Sequence, residues 1–229
     1  MLRYLPLLLK KLKVCHQAKV STKQQTMTED SLWDHSRLDI PVKIIKYNVH
    51  TPLQDLPVDK VQKLSKGLAL PFVMMAYNLH GDVNIGMMMR SAVILGASDF
   101  YLVGRRRYDR RTEVGSRNYI TLHRHKTVDK QFFEDNKLLP IALEQGGEAL
   151  EEFSFKKYLP HTLPAGWKVC FIAGSESYGI SKKFLAELGA PILTIGQYGV
   201  IRSMNVSIAA SILMYEYTKQ WRASVMNRL

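Results

Sequence analysis

Short apolar runs alternate with stretches of helical character between residues 71 and 222, and this alternation most constrains the fold. The runs are Pro71–Tyr77, Asp99–Val103, Leu139–Leu143, Lys168–Ala173 and Pro191–Ile195. Each is too short for a stable helix and apolar enough to be a buried strand. Helices are predicted between and after them, at Ile85–Leu95, Lys130–Asn136, Ser181–Leu188 and from Met204 to about Arg222. Such a pattern makes an α/β domain with a mostly parallel sheet. Ligands of such sheets sit beyond the carboxyl ends of the strands, so the loops after Tyr77, Ala173 and Ile195 are the informative ones. Residues 1–68 lack the pattern. Pro41, Pro52 and Pro57 interrupt them, and they read as a partly irregular basic extension to a domain spanning 69–229.

Charge and cysteine usage narrow the setting. Lys and Arg number 32 against 20 acids, a formal charge of +12 that suits a polyanion. Cys15 and Cys170 are the only cysteines, so a disulfide framework is not expected and an intracellular place is. His123 and His125 are the nearest approach to a metal-ligand pair, and two histidines in a basic stretch read as surface residues; no metal is expected. No apolar run is long enough to span a bilayer, and no membrane partner is expected. Residues 1–28 hold Arg3, Lys10, Lys11, Lys13, Lys19 and Lys23 with no acid. A mitochondrial presequence, a basic arm for RNA and a frayed tail all fit that composition, which leaves cytoplasm and mitochondrion both open. A secretory signal fits poorly, because lysines follow the short apolar run directly.

The three loops hold chemistry-bearing residues at fixed spacings. The first, Asn78–Arg90, contains Gly81 and Gly86 for tight backbone geometry and Asn84 as a helix cap. Arg90 would follow one to two turns into that helix. Alone, it reads as a solvated arginine sooner than as a phosphate ligand. The second loop, Gly174-Ser-Glu176-Ser-Tyr-Gly179, lacks both the Walker ending and a dinucleotide fingerprint. Glu176 is placed to accept hydrogen bonds from ribose hydroxyls or backbone amides. The third loop runs from Ile195 to Asn205, with Ser203 or Asn205 as the cap of the last helix. Each loop taken singly is an ordinary glycine-bearing turn.

Together, in this order, they resemble the three motifs of the SpoU (TrmH-like) branch of the SPOUT RNA methyltransferases. Asn84, Gly86 and Arg90 match the first motif, Gly174, Glu176 and Gly179 the second, and Ser203-Met204-Asn205-Val206-Ser207 the third. The likeness covers about residues 71 to 222. The stretch Gly199–Val206 is also similar to eukaryotic tRNA guanosine 2′-O-methyltransferases acting on the D-loop. Two departures stand out: Gly196 replaces a usual proline, and one extra residue lies between the second motif and Ile195. The resemblance implies a C-terminal deep trefoil knot, a rarity that no sequence pattern alone would suggest.

It also implies S-adenosylmethionine as cofactor and a ribose 2′-hydroxyl of RNA as acceptor, tRNA first and rRNA second. Cofactor-binding positions carried over are Gly174, Glu176, Ile195, Gly196, Gln197, Ser203 and Met204. The catalytic set is Arg90, Asn84, Ser203 and Asn205. A homodimer is implied, with Arg90 of one subunit facing the cofactor of the other. The basic run Arg105, Arg106, Arg107, Arg110 and Arg111 is the expected RNA contact, with Tyr108 as a stacking platform. A competing expectation is a catalytically silent SpoU-like RNA-binding or ribosome-assembly factor. Titration with S-adenosylmethionine separates the two.

Overall fold

The computed structural model describes residues 48–104, 107–159, 164 and 166–226. The chain divides into two compact units, residues 1–56 and 57–229. The described part of the first is a single 3-10 turn, Thr51–Leu53, whose Leu53 amide donates to the His50 carbonyl at 2.7 Å. Residues 1–47, including the targeting and RNA-arm readings of 1–28, lie outside the described residues, as do Arg105 and Arg106.

The second unit opens with α1 (Val58–Leu68), followed by β1 (Phe72–Tyr77), α2 (Asp82–Leu95), β2 (Asp99–Val103) and β3 (Thr121–His125). Then come α3 (Lys130–Asp135), β4 (Leu138–Ala149), α4 (Phe155–Tyr158), β5 (Lys168–Ala173), α5 (Lys182–Leu188), β6 (Ile192–Thr194) and α6 (Val206–Met226). The six strands form one sheet in the order β3-β2-β1-β5-β4-β6, and each named pairing is parallel. β1 is central, between β2 and β5, and is buried on both faces, which explains its unbroken apolar run.

Strand alternation sends Phe72, Met74, Phe100, Leu102 and Phe171 to one face, where α2, α4 and α6 cover them. Tyr217 of α6 sits at the centre of that layer, with ring centroids 5.1 Å from Phe72 and 5.2 Å from Phe155 and Phe171. Val73, Met75, Tyr101, Cys170 and Ile172 face the other way, under Phe133 of α3 and Phe184 of α5. Each large apolar side chain buried in this way contributes about 1.5–3 kcal/mol. Burial also pushes the Cys170 thiol well up, so it packs as a small apolar residue. α2 ends on Gly96 at φ 89, with the Ala97 amide returning to the Ala92 carbonyl at 2.8 Å. It packs along α6, where Ser211 Oγ donates to Ser91 Oγ at 2.8 Å and Thr218 Oγ1 to the Leu95 carbonyl at 3.0 Å.

Several expectations are corrected. Residues 58–68 are helical, because Pro57 occupies the cap position, where its lack of an amide proton costs nothing. Val61 of α1 is buried and Ser65 Oγ donates to the Tyr119 carbonyl at 2.8 Å. The sheet has a sixth strand, β3, absent from the predicted set. β4 runs to Ala149, with an irregular register against β6 between Leu143 and Glu148. Asn84 does not cap α2. That helix starts at Asp82 after Gly81, leaving Asn84 inside its first turn and Arg90 more than two turns along. His123 and His125 are not simple surface groups: their rings stack on Tyr101 at 4.5 and 5.9 Å, and His123 Nε2 lies 3.0 Å from Asp99. Among the described residues no cluster could hold a metal ion, and no helix is long and apolar enough to cross a membrane.

Candidate functional site

The parallel sheet brings the carboxyl ends of β1, β4, β5 and β6 to one edge, and a cavity of about 450 Å³ lies there. Loop 174–179 forms one wall and loop 195–205 another, with Leu143, Glu144 and Gln145 of β4 between them. Ile195, Met204, Leu143 and Ala209 supply apolar surface, while Glu144, Gln145, Ser175 and Ser177 supply polar atoms. The space is adequate for a nucleoside with a short charged tail.

Gly174 is required by the way loop 174–179 closes. Ser175 and Gly179 pair in an isolated antiparallel bridge, so a Cβ on Gly174 would lie 2.5 Å from the Gly179 carbonyl carbon and 2.6 Å from the Ile180 amide nitrogen. Gly179 itself is left-handed, at φ 65, directly against the Glu144 carboxylate. That carboxylate accepts from the Ile180 amide at 2.8 Å and from Gln145 at 3.0 Å, fastening the loop to β4. Gln145 Nε2 donates in turn to the Arg202 carbonyl at 3.0 Å and so fastens the other loop.

Glu176 performs the capping task that local sequence assigned to Asn84. Its two oxygens accept from the His80 and Gly81 amides, each at 3.1 Å, at the start of α2. Asn84 Nδ2 donates to the same carboxylate at 2.6 Å, and Asn84 Oδ1 accepts from Asn205 Nδ2 at 3.0 Å. Asn205 Oδ1 accepts from the Ser207 amide at 2.9 Å, the Ser207 hydroxyl at 2.7 Å and the Ile208 amide at 3.4 Å, capping α6 as expected. One chain of side-chain hydrogen bonds, Glu176–Asn84–Asn205, thereby joins the three loops. Partial burial pushes the Glu176 carboxyl up, but the bonds from Asn84 and the backbone amides outweigh it, and its pKa falls below 4.5. It is ionised at neutral pH and presents negative charge to the helix start.

The predicted cofactor positions Gly174, Glu176, Ile195, Gln197, Ser203 and Met204 all line the cavity, as does Asn205. Gly196 does not. Its amide donates to Glu151 Oε1 at 3.3 Å, and a Cβ there would lie 2.8 Å from the Tyr198 hydroxyl. The glycine standing for the usual proline thus makes room for a tyrosine and keeps an amide donor that proline lacks. Asn84 reaches the cavity through its two partners. Arg90 lies apart, exposed on the outer face of α2, and makes no ion pair among the described residues. Sequence reasoning missed Glu144, Gln145 and Ser175; only Glu144 had a local signal, an acid ending the apolar run of β4.

Beyond β2 the basic segment folds into a 3-10 turn, Arg110–Glu113, packed on α2. Gly86 permits this approach, since a Cβ there would meet Thr112 Oγ1 and lie 2.9 Å from the Glu113 amide. Arg107, Arg110 and Arg111 are exposed. Arg111 grips Asp109, with Nη2 to Oδ2 at 2.6 Å, and its guanidinium draws the Asp109 carboxyl down to about 2. Tyr108 is not a stacking platform. It is only 7% exposed, donates its hydroxyl to the buried Glu113 carboxylate and lies under the Arg124 guanidinium, 5.5 Å from the ring centre. It anchors the basic turn from beneath.

The family model of the SpoU rRNA methylases matches residues 71–215. Among curated relatives, the tRNA (guanosine(18)-2′-O)-methyltransferase of Escherichia coli K12 is 24% identical over 147 residues, 62% of this chain and 60% of that one. The Saccharomyces cerevisiae enzyme of the same name is 42% identical over 83 residues, 35% of this chain and 5% of the yeast protein. The chain therefore spans 60% of the bacterial relative's length and a small part of the yeast one's. Among solved structures, the SpoU methyltransferase AviRb of Streptomyces viridochromogenes in complex with AdoMet superposes with a TM-score of 0.55 at 20% identity, covering 67% of this chain and 59% of that one. This likeness confirms the α/β fold. The matched span holds the whole sheet and all three joined loops, and the chain belongs to the SpoU rRNA methylase family.

Proposed function

We propose that this chain transfers a methyl group from S-adenosylmethionine to a ribose 2′-hydroxyl of RNA, with a tRNA guanosine as first choice of acceptor and a ribosomal RNA ribose as second. The observation that carries the reading is the Glu176–Asn84–Asn205 chain, which ties the first motif loop to the two loops that line one nucleoside-sized cavity. The names of the E. coli and yeast relatives support tRNA as the acceptor.

S-adenosylmethionine supplies the electrophilic methyl carbon on its sulfonium. The protein's share is to hold three atoms in line and to manage one proton. Ile195 and Met204 would flank the adenine, and the open backbone at Gly174 would let the ligand lie close. Ser203 and Asn205 would orient the acceptor ribose at the other side of the cavity. A guanidinium offers five hydrogen-bond donors and no acceptor, so the role of Arg90 is electrostatic. It pairs with the neighbouring phosphate and stabilises charge developing on the 2′-oxygen. On transfer the 2′-oxygen would gain the methyl, its hydroxyl proton would pass to solvent water, and S-adenosylhomocysteine would leave.

Arg90 serves the cavity of a second copy. Val83, Met87, Arg90 and Ile94 form an exposed stripe on α2, beside exposed Ile208 and Tyr215 on α6. An apolar stripe of this kind on a soluble domain fits a two-fold interface. Within each protomer, a knotted path after β6 is part of this reading through the family resemblance, and Gln145 fastens loop 195–205 to β4. Arg107, Arg110 and Arg111, on a turn braced against the helix bearing Arg90, would follow the RNA backbone.

Two measurements test this. Mapping of 2′-O-methyl sites in tRNA and ribosomal RNA, with and without the protein, should show one site class lost in its absence. Arg90→Ala should abolish transfer while leaving calorimetric binding of S-adenosylmethionine unchanged. Near-normal turnover would remove Arg90 from the site.

A further inference from the structure

Among the described residues, Tyr178 is the only aromatic one lining the cavity, and it is 84% exposed. A tyrosine ring held in water forfeits the burial that normally stabilises it. It stands two residues after Glu176 and directly before the left-handed Gly179, in a loop pinned by the Ser175–Gly179 bridge and by Glu144. The His80 ring meets it edge to face, with centroids 6.2 Å apart and planes at 73°. His80 is itself fixed: its amide donates to Glu176 Oε2 at 3.1 Å, and Nδ1 lies 3.0 Å from Ser175 Oγ. Both rings therefore hang on the junction where loop 78–81 meets loop 174–179, next to the Asn84–Glu176 bond. Arg202 lines the same cavity, is exposed and makes no ion pair among the described residues.

Three occupants could cover the exposed ring. A second copy would bring its Arg90 toward the cavity, but the apolar stripe fitted to it runs along α2 and α6 and not along loop 174–179. The cofactor's adenine has its own apolar wall at Ile195, Met204 and Ala209. A nucleobase of the RNA matches both remaining features, a flat ring for stacking and a nearby cation for its phosphate. Tyr198, more exposed still at 94%, is a weaker candidate, because it lies off the cavity with its hydroxyl folded toward Gly196.

We propose that Tyr178, braced by His80, stacks the base of the nucleotide whose ribose enters the cavity, and so positions that ribose for reaction. This rests on the RNA methyltransferase reading above. The test is steady-state transfer from tritiated S-adenosylmethionine to total tRNA, or to ribosomal RNA where tRNA accepts no methyl, each taken from cells lacking this protein. Wild type, Tyr178→Ala, Tyr178→Phe and Tyr178→Trp are compared, with cofactor affinity by calorimetry and assembly by sedimentation. Tyr178→Ala should raise the KM for the accepting RNA roughly tenfold or more. Cofactor affinity and assembly should be unchanged, and Phe and Trp should restore the KM. Transfer by wild type with an unaltered KM in Tyr178→Ala overturns the stacking alone. So does a Phe variant as impaired as Ala, a parallel loss of cofactor affinity, or a change of assembly. Absence of transfer by wild type overturns the underlying reading, and the stacking with it.

Discussion

Partial burial pushes the Glu176 carboxyl up, and hydrogen bonds from Asn84 and two backbone amides outweigh it and bring it below its ordinary value. A carboxyl whose folded pKa lies below its usual value stabilises the fold above that usual value, and the contribution is lost as pH falls through the folded pKa. Glu176→Gln should therefore melt below wild type at pH 7, with the gap closing as pH drops below 4.5. Thermal melts between pH 7 and pH 3.5 read this directly, and a gap independent of pH would deny the carboxylate its role. Asp99, held low by Lys168 and His123 against the desolvation that raises it, responds to acid in the same sense and cancels in the comparison. Tyr217 presents the opposite case. Its hydroxyl is fully buried without a partner among the described residues, and burial pushes its pKa up. Tyr217→Phe removes an unpaid desolvation and should stabilise by about 1 kcal/mol, visible as a higher Tm. At this scale Asn84 shows where sequence reading stops. A capping role follows from its local context, but the group that caps α2 comes from Glu176, far along the chain, and only the folded sheet brings it there.

α2 is the element on which the site turns, because it touches the sheet, the basic turn and α6 at once. Ile85, Met88, Met89 and Ala92 face the sheet, Ser91 meets α6, and Gly86 lets the Arg110–Glu113 turn approach. Gly86→Ala would gain helix propensity in isolation. Here the added methyl collides with Thr112 Oγ1 and the Glu113 backbone, and overpacking of that kind costs about 1–3 kcal/mol. The variant should show a lower Tm and weaker RNA binding, with cofactor affinity retained; a rise in Tm would mean that the turn yields freely. The elements that the sequence revealed are those whose burial is uniform. β2 and β5 begin and end where their apolar runs do. β3 stayed hidden because Thr121-Leu-His-Arg-His125 is an edge strand, and its inward positions hold histidines stacked on Tyr101 in place of aliphatic residues. α1 stayed hidden because Pro57 reads as a breaker, whereas it stands at the helix start, where no amide proton is required of it.

Across the whole molecule, the sequence showed the layered α/β plan and the three loops at the carboxyl edge, since both follow from local pattern. Local pattern did not show that Arg90, a member of the motif set, stands apart from the cavity that the other loops enclose; only the family resemblance implied it. Helix periodicity explains this: Arg90 shares its face with Val83, Met87 and Ile94, whereas the sheet-facing positions are Ile85, Met88, Met89 and Ala92. Ile94 is 73% exposed, so a partner that covered this face would remove apolar area from water. A two-fold partner that covers it would also bring a second Arg90 toward the cavity from outside. Co-expression of two inactive chains tests that arrangement. Arg90→Ala keeps the cavity and lacks the arginine. Gly174→Val keeps the arginine and loses the cavity, because its side chain meets Gly179 and Ile180 at 2.5–2.6 Å. If Arg90 acts across the interface, each mixed dimer regains one complete site, and a random assortment should recover about a quarter of wild-type turnover. If Arg90 acts within its own chain, neither half of any dimer is whole and the mixture stays inactive. A second mixture of Arg90→Ala with the double variant Gly174→Val/Arg90→Ala holds no arginine at all, and its silence would assign recovered turnover to the arginine supplied by the partner.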